Sequence, residues 1–428
     1  VSSRFATRRR TPGWQQVDHE ATPKRIAIVH DWCPDFRGGE RVLAELCRIF
    51  PGAEVFTLFD FLSEDVKREH FPGVRFHTSI ANRLPQARRI YRHLFPVCPF
   101  LIEQFDVTGF DAVITSSASF ARGVITRPDQ PHLCYVHSPI RYAWDEQFSY
   151  LQQGRLGFGV KGLLFRYFAH KLRLWDTRTA HNPDLMLANS SYVRSRIRRI
   201  YGRHAHVAFP PVPLDELQYA AQKDDYYVTA SYLAPYKRTD LVIEAFSAMP
   251  NRRLVVVGDG QQMKRLRKRA GANVEFAGFL PRDEYLRTIA QARAFVFGGC
   301  EDFGIALVEA QGAGTPLIAF GRGGATDIVR PLGHVKQPTG VLFDEQTPDA
   351  IVRAVEQFEA HSTAILPSAC RNNAERFSPE RFARQVYRGF AAAVAMHKRH
   401  TISDLEVIDD SEPRPELARY VNRESRFA

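Results

Sequence analysis

Long apolar runs are missing from this chain. No stretch of about eighteen or more apolar residues occurs, so no membrane-spanning helix is expected. Cysteine is scarce: six in 428 residues, at positions 33, 47, 98, 134, 300 and 370, with no Cys-x-x-Cys pair and no metal-ligand spacing. Set mostly in apolar runs, those thiols read as buried and reduced, as in a cytosolic protein. No zinc-finger or helix-turn-helix pattern and no aromatic stacking motif is present, which argues against a nucleic-acid partner. No acidic triad stands out, and no metal is expected. The N-terminal stretch "VSSRFATRRRTPGWQQ" has basic residues but no apolar segment behind them. That argues against a secretory signal and implies a loose tail over residues 1–23.

What the chain does have is length, apolar content and positive charge. At 428 residues, 44% hydrophobic and 25% charged, it suits two globular domains with substantial cores. The formal net charge is +11. Arginines crowd between residues 83 and 203, in "RLPQARRIYRH", "KLRLWDTRTAH" and "RSRIRRIYGR". They form solvated helix faces or meet an anionic partner, for which a membrane surface or a phosphorylated substrate ranks above nucleic acid.

Short β-rich apolar runs alternate with helical patterns. "RIAIVHDW" (25–32), "AEVFTLF" (53–59), "DAVITSS" (111–117), "HLCYVHS" (132–138) and "DLMLANS" (184–190) read as strands. Their apolar residues are continuous, as in strands of a parallel sheet covered on both faces. The proline-rich "FPPVPLDELQ" interrupts the alternation, and the pattern restarts at "YYVTASYL" (226–233). The fold class expected is α/β, with one domain over 24–214, a linker at 215–221 and a second domain over 222–377. A helix follows at 378–400, and then a tail at 401–428. Open parallel sheets bind ligands beyond the carboxyl ends of their strands, so the loops just after strands are the places to search.

"EDFGIALVEAQGAG" (301–314) follows the strand "AFVFGG". Asp302 reads as an N-cap, which starts the helix near Phe303. The free N–H groups of residues 303–306, Phe303, Gly304 and Ile305 among them, then offer a site for a diphosphate, with Gly304 permitting close approach. Glu309, two turns along, is placed to accept from vicinal ribose hydroxyls, and Glu301 to reach the group beyond the diphosphate. "APYKRTD" (234–240) adds Lys237 or Arg238 as a phosphate cation. The strand-glycine turn "VVVGDGQQ", with Gly258, walls a nucleotide pocket. Gly38 and Gly39 in "PDFRGGERV" admit phosphate or sugar to the backbone. "YVHSPIRYAWD" places His137, Arg141, Trp144 and Asp145 at a strand end.

These motifs resemble those of family-four retaining glycosyltransferases, particularly bacterial O-antigen and exopolysaccharide mannosyltransferases. The likeness covers about residues 24–398 and rests on "EDFGIALVEAQGAGTPLIAFGRGGATDIV", "SYLAPYKRTDLVIEAF", "VHDWCPDFRGGERV" and "YVHSPIRYAWD". It implies the GT-B architecture, two Rossmann-like domains facing a central cleft. It implies that Glu301 contacts the donor sugar, that Glu309 holds the ribose and that Lys237 binds the diphosphate. Gly38, Gly39 and His137 resemble the residues nearest the acceptor and the reacting carbon. One position departs: the family's usual arginine after the strand is Tyr232 here, in Ser231–Tyr232–Leu233. The implied function is transfer of a hexose, with retention, from a nucleotide-sugar donor to a glycan. GDP-mannose is the favoured donor and a UDP-hexose the runner-up. A polyprenyl-diphosphate-linked acceptor and a peripheral place at the inner, anionic face of the membrane are expected. An epimerase on the same fold and a non-catalytic anion-binding protein are the rival readings.

Overall fold

The computed structural model describes residues 23–153, 157 and 159–406. The tail expected at the N-terminus lies, but for its last residue, outside the described residues, as do residues 407–428.

Seven parallel strands form the first sheet: β1 (Ile26–His30), β2 (Glu54–Thr57), β3 (Phe76–Thr78), β4 (Ala112–Ser117), β5 (His132–Val136), β6 (Leu185–Ala188) and β7 (His206–Val207). Six form the second: β8 (Tyr227–Ala230), β9 (Leu254–Val257), β10 (Val274–Gly278), β11 (Ala294–Phe297), β12 (Leu317–Phe320) and β13 (Gly340–Phe343). The orders are β3-β2-β1-β4-β5-β6-β7 and β10-β9-β8-β11-β12-β13. Strands such as "IAIVH", "HLCYV" and "LVVV" are buried along their whole length because helices cover both faces. The apolar pattern does not single out β3, β7 or β13. All three are edge strands, which are short and have a neighbour on one side only.

The final helix, Pro379–Glu406, runs six residues past the expected boundary at 400. It follows the second sheet in sequence but packs on the first. Phe382 sits edge-on to Tyr135 at 5.5 Å, and Phe390 to Phe50 at 5.0 Å. Phe382, Ala383, Val386, Phe390 and Ala393 belong to the same apolar core as β1 and β4. The first domain is thus completed by the end of the chain.

In each sheet the strand order reverses beside the first strand, between β1 and β4 and between β8 and β11. A crevice opens at such a switch point. The loops beyond β1, β4, β5, β8 and β11 line one cavity between the two sheets.

Candidate active site

The cavity has a volume of about 850 Å3. Of the residues singled out in the sequence, Gly38, Gly39, His137, Tyr232, Lys237, Glu301, Phe303, Gly304, Ile305 and Glu309 line it. Arg141 and Asp302 line it too, and four residues do not. Trp144 donates its indole N–H to Asp176 at 2.7 Å, and Asp145 accepts from Arg196 Nε at 2.9 Å. Arg238 has φ +52, starts the helix Thr239–Ser247 and turns its Nε to Asp240 at 3.4 Å. Gly258, at φ +121, is a packing residue: a Cβ there would stand 2.0 Å from the Ser231 carbonyl oxygen. It lets the ends of β8 and β9 lie together and is not in the cavity wall.

The helix that opens on the cavity runs Ile305–Gly312, with Gly304 as its N-cap at φ +105. The expected start near Phe303 and the Asp302 cap are therefore corrected. Asp302 caps nothing because two guanidiniums hold its carboxylate. Arg141 Nε donates to Oδ2 at 2.9 Å and Arg196 Nη1 to Oδ1 at 3.1 Å. The left-handed conformation falls instead on the one residue in the loop that tolerates it. Glu309 is accordingly one turn from the helix start, about 6 Å along the axis, rather than two. The first N–H groups of a helix lack intrahelical partners, and Gly304, Ile305 and Ala306 border the cavity; the Leu307 N–H already donates to the Gly304 carbonyl at 3.0 Å.

Glu309 is buried and already bonded. Its Oε1 lies 2.7 Å from Arg282 Nη1 and 3.3 Å from Arg41 Nη1, and its Oε2 accepts from the Tyr285 hydroxyl at 2.8 Å. Burial, and then the neighbouring Glu309 charge, push the Tyr285 phenol well up from its ordinary value. A carboxylate offers roughly four lone-pair sites. Gripping both hydroxyls of a ribose requires one donor to yield, and the longest contact is that of Arg41, which comes from the other domain.

Lys237 touches the Glu301 carboxylate. Burial, and then the Arg141 guanidinium, draw the lysine down to about 7, with Asp302 opposing. The contact with Glu301 also works to keep the ammonium charged. His137 Nε2 lies 2.8 Å from Ser116 Oγ, which lies 3.0 Å from His30 Nδ1. Burial, and then His30, push His137 down to about 3, so its ring is neutral at physiological pH and hydrogen-bonds without charge. Behind it, Asp31 accepts from four successive backbone N–H groups, Ala118 to Ala121, at 2.5 to 2.8 Å. This fixes the loop beyond β4 against the loop beyond β1.

Sequence reasoning missed Asp31, Arg41, Arg196, Arg282 and Tyr285. Arg282 and Tyr285 follow β10 and were within reach of the rule that sites lie beyond strand ends. Arg41 and Arg196 sit inside helices, on the faces turned to the other domain, and carry no local signal. The arginines of 83–203 also divide. Arg122 is wholly buried against Asp176, while Arg141 and Arg196 bridge the domains, so these three belong to no solvated face. Arg322 stacks over Phe320 at 5.9 Å and does not line the cavity. Neither it nor Arg238 takes the place of the arginine replaced by Tyr232. Tyr232→Arg is accordingly expected to tighten nucleoside diphosphate binding by about tenfold, since a charged donor replaces a neutral one. Calorimetry on both proteins measures it; unchanged or weaker binding means that the cavity's other guanidiniums already serve.

Two open parallel sheets meeting at their carboxyl ends over one nucleotide-sized cleft define the GT-B class. Solved structures agree in fold. Anabaena HepE in complex with UDP-glucose superposes with a TM-score of 0.63 at 17% identity, covering 86% of this chain and 99% of that one. The lipopolysaccharide outer core galactosyltransferase WaaB gives 0.59 at 15% identity, with 86% and 99% covered. Two family models match in succession: Glycosyltransferase Family 4 over residues 36–216 and Glycosyl transferases group 1 over 217–377. The chain belongs to the family-four glycosyltransferases. It is 29% identical over 211 residues to the GDP-mannose-dependent alpha-(1-6)-phosphatidylinositol monomannoside mannosyltransferase of Mycobacterium tuberculosis, over 42% of this chain and 54% of the relative. It is 26% identical over 235 residues to the GDP-Man:Man(3)GlcNAc(2)-PP-Dol alpha-1,2-mannosyltransferase of Xenopus laevis, over 48% and 46%. The chain thus spans about half the length of the curated relatives it matches.

Proposed function

We propose that this protein transfers a hexose, with retention of configuration, from a nucleotide-sugar to a lipid-linked glycan. The observation that carries the proposal is the convergence of Lys237, Glu301, the Gly304 helix start and Glu309 on one cavity. In the reading proposed, Glu309 meets the ribose, Lys237 and the helix start meet the diphosphate, and Glu301 meets the sugar beyond it. In the reaction proposed, the donor's diphosphate replaces Glu301 as the partner of Lys237. That frees the Glu301 carboxylate for hydroxyls of the sugar. Negative charge then builds on the departing diphosphate, where the Lys237 ammonium and the first N–H groups of the Ile305–Gly312 helix stabilise it. Arg41 leaves Glu309 as the ribose enters. His137, neutral and held by Ser116, lines the acceptor side and donates or accepts a hydrogen bond without changing charge.

GDP-mannose is the donor proposed, since the curated relatives are named for it. A UDP-hexose is the second reading, favoured by a fold shared with a protein crystallised with UDP-glucose. Among the described residues no helix is long and apolar enough to cross a membrane, so a lipid-linked acceptor would be met at the bilayer surface. The first test is thermal unfolding with GDP, GDP-mannose, UDP and UDP-glucose, because a bound ligand raises stability by mass action. Stabilisation by none of the four would remove the proposal.

The two glutamates separate by experiment. Glu309→Gln is expected to weaken binding of the bare nucleoside diphosphate by about tenfold or more, through loss of a charge-assisted acceptor. Glu301→Gln is expected to leave that affinity nearly unchanged and to slow transfer. Equal losses of nucleotide affinity in both variants would refute this division.

A further inference from the structure

The helix Val160–Thr179 presents an unusual face to solvent. Val160, Leu163, Leu164, Tyr167 and Leu174 are all exposed, from 52% for Leu164 to 82% for Val160. They recur at helical spacing, so they form one stripe along the axis. A water-soluble surface seldom gathers large apolar side chains so closely without a partner. The same stripe carries Lys171 and Arg178, and Lys161 flanks it, all three exposed; Lys171 Nζ stands 5.7 Å over the Tyr167 ring. The helix contains one acid, Asp176, which is fully buried against Arg122 and accepts from the Trp144 indole. Its outer face is therefore apolar and cationic, with no carboxylate of its own.

The apolar surface continues sideways. Glu103 accepts from Trp175 Nε1 at 2.7 Å and from Arg178 Nη2 at 3.0 Å, which ties the short helix Cys98–Glu103 alongside. That helix exposes Phe100. The face also adjoins the cavity. Arg173 Nη1 donates to the Ala143 carbonyl at 2.6 Å and to Gln147 Oε1 at 2.5 Å, which joins the helix to the segment Gln147–Gln153. Tyr150 on that segment lines the cavity, while its neighbour Phe148 points to solvent.

We infer that the outer face of the helix Val160–Thr179 docks on an anionic lipid bilayer, its apolar stripe entering the headgroup boundary and its lysines meeting lipid phosphates. Charge decides the occupant. A second copy of this face would set cation against cation, whereas an anionic leaflet complements both parts of the stripe. Interfacial helices bind through this combination, buried apolar area plus attraction to anionic lipid. The inference rests on the proposed lipid-linked acceptor and adds where the bilayer lies: against the first domain, across the segment Gln147–Gln153 from the cavity. It also narrows the earlier reading of the charge, since attraction by the arginines of 83–203 alone would be released by salt.

Cosedimentation with vesicles is the test, using equal parts phosphatidylglycerol and phosphatidylcholine against phosphatidylcholine alone. Wild type is expected to bind the anionic vesicles and to keep part of that binding in about 0.5 M NaCl, where charge attraction is screened. Leu164→Glu combined with Leu174→Glu is expected to lower the partition coefficient about tenfold or more, since binding scales with apolar area. Calorimetry should find its nucleoside diphosphate affinity unchanged, which shows the fold intact. Equal vesicle binding by wild type and double variant would overturn the inference, as would equal binding to neutral vesicles. A wild type that ignores vesicles but forms a dimer lost in the double variant would assign the face to a second copy and overturn it too. Salt-resistant, variant-sensitive vesicle binding by a protein with no affinity for nucleoside diphosphates would support the surface and sink the transferase reading instead.

Discussion

Lys237→Ala is expected to lower turnover by about two orders of magnitude or more, because in the reaction proposed it removes the cation that meets the leaving-group charge. Circular dichroism should be unchanged, since the lysine faces the cavity and its removal releases Glu301 to water. The pH dependence carries the same signature. Burial and Arg141 draw Lys237 down to about 7 in the free protein, and a bound diphosphate would raise it. Below pH 7 the ammonium is already present and binding needs no proton. Above pH 7 the proton is taken up with the ligand, so affinity falls as pH rises, until the pKa of the bound state is reached. Calorimetry at about pH 8, in buffers of different ionisation enthalpy, should show uptake of up to one proton by wild type and none by Lys237→Ala. Wild-type turnover in the variant would take Lys237 out of the mechanism. Proton uptake undiminished in the variant would assign the linkage to another group.

Asp302→Ala is expected to have the largest effect on stability. The Asp302 side chain is 8% exposed and holds Arg141 and Arg196, both from the other domain. Arg196 keeps a second partner in Asp145 and a hydroxyl in Ser138, while Arg141 keeps only the more distant Glu146 at 3.8 Å. Removing one member of a buried ionic group costs about 3–5 kcal/mol, because charges are left without compensation. The domains then lose one of their ties; among the described residues Arg41 also pairs with Glu309 across the cleft, and the Ser191 N–H donates to Asp327. Denaturant unfolding measures the loss, and solution scattering measures whether the cleft opens. A midpoint equal to wild type would mean that Asp145 and Glu146 suffice for the two arginines. A large loss of stability with no change in scattering would leave Asp302 as a packing residue with no part in holding the cleft.

How much of the site was legible depended on how local each cause was. Glu301, Lys237, Gly304 and Glu309 stand beside strands whose apolar runs are plain in the chain, and a parallel sheet directs such loops to one edge. The same rule placed Gly38, Gly39, His137 and Tyr232 in the cavity wall. It misplaced Arg238, because a residue can follow a strand and still turn its side chain to its own helix. It misplaced Gly258, whose conformation serves the packing of β8 against β9. The Asp302 cap failed for a different reason. Cap preference is worth about 1 kcal/mol, and two buried guanidiniums outweigh it.

By itself the sequence determined that this is an α/β chain of two parallel sheets with its chemistry at strand ends, since burial on both faces demands continuous apolar strands and parallel pairing demands the helical crossovers that alternate with them. It also determined the character of the cleft, through two glutamates, a lysine and a glycine placed by the ends of two strands, β8 and β11, and by one helix. Only the tertiary structure decided which charges meet. Arg41 reaches Glu309 across 268 positions and Arg196 reaches Asp302 across 106, and no local pattern encodes such pairs. The last helix is the plainest case. Its apolar face is visible in the sequence, but the first sheet is its partner because that sheet still had a face to cover. Burial is indifferent to chain order, so the choice belongs to the fold as a whole.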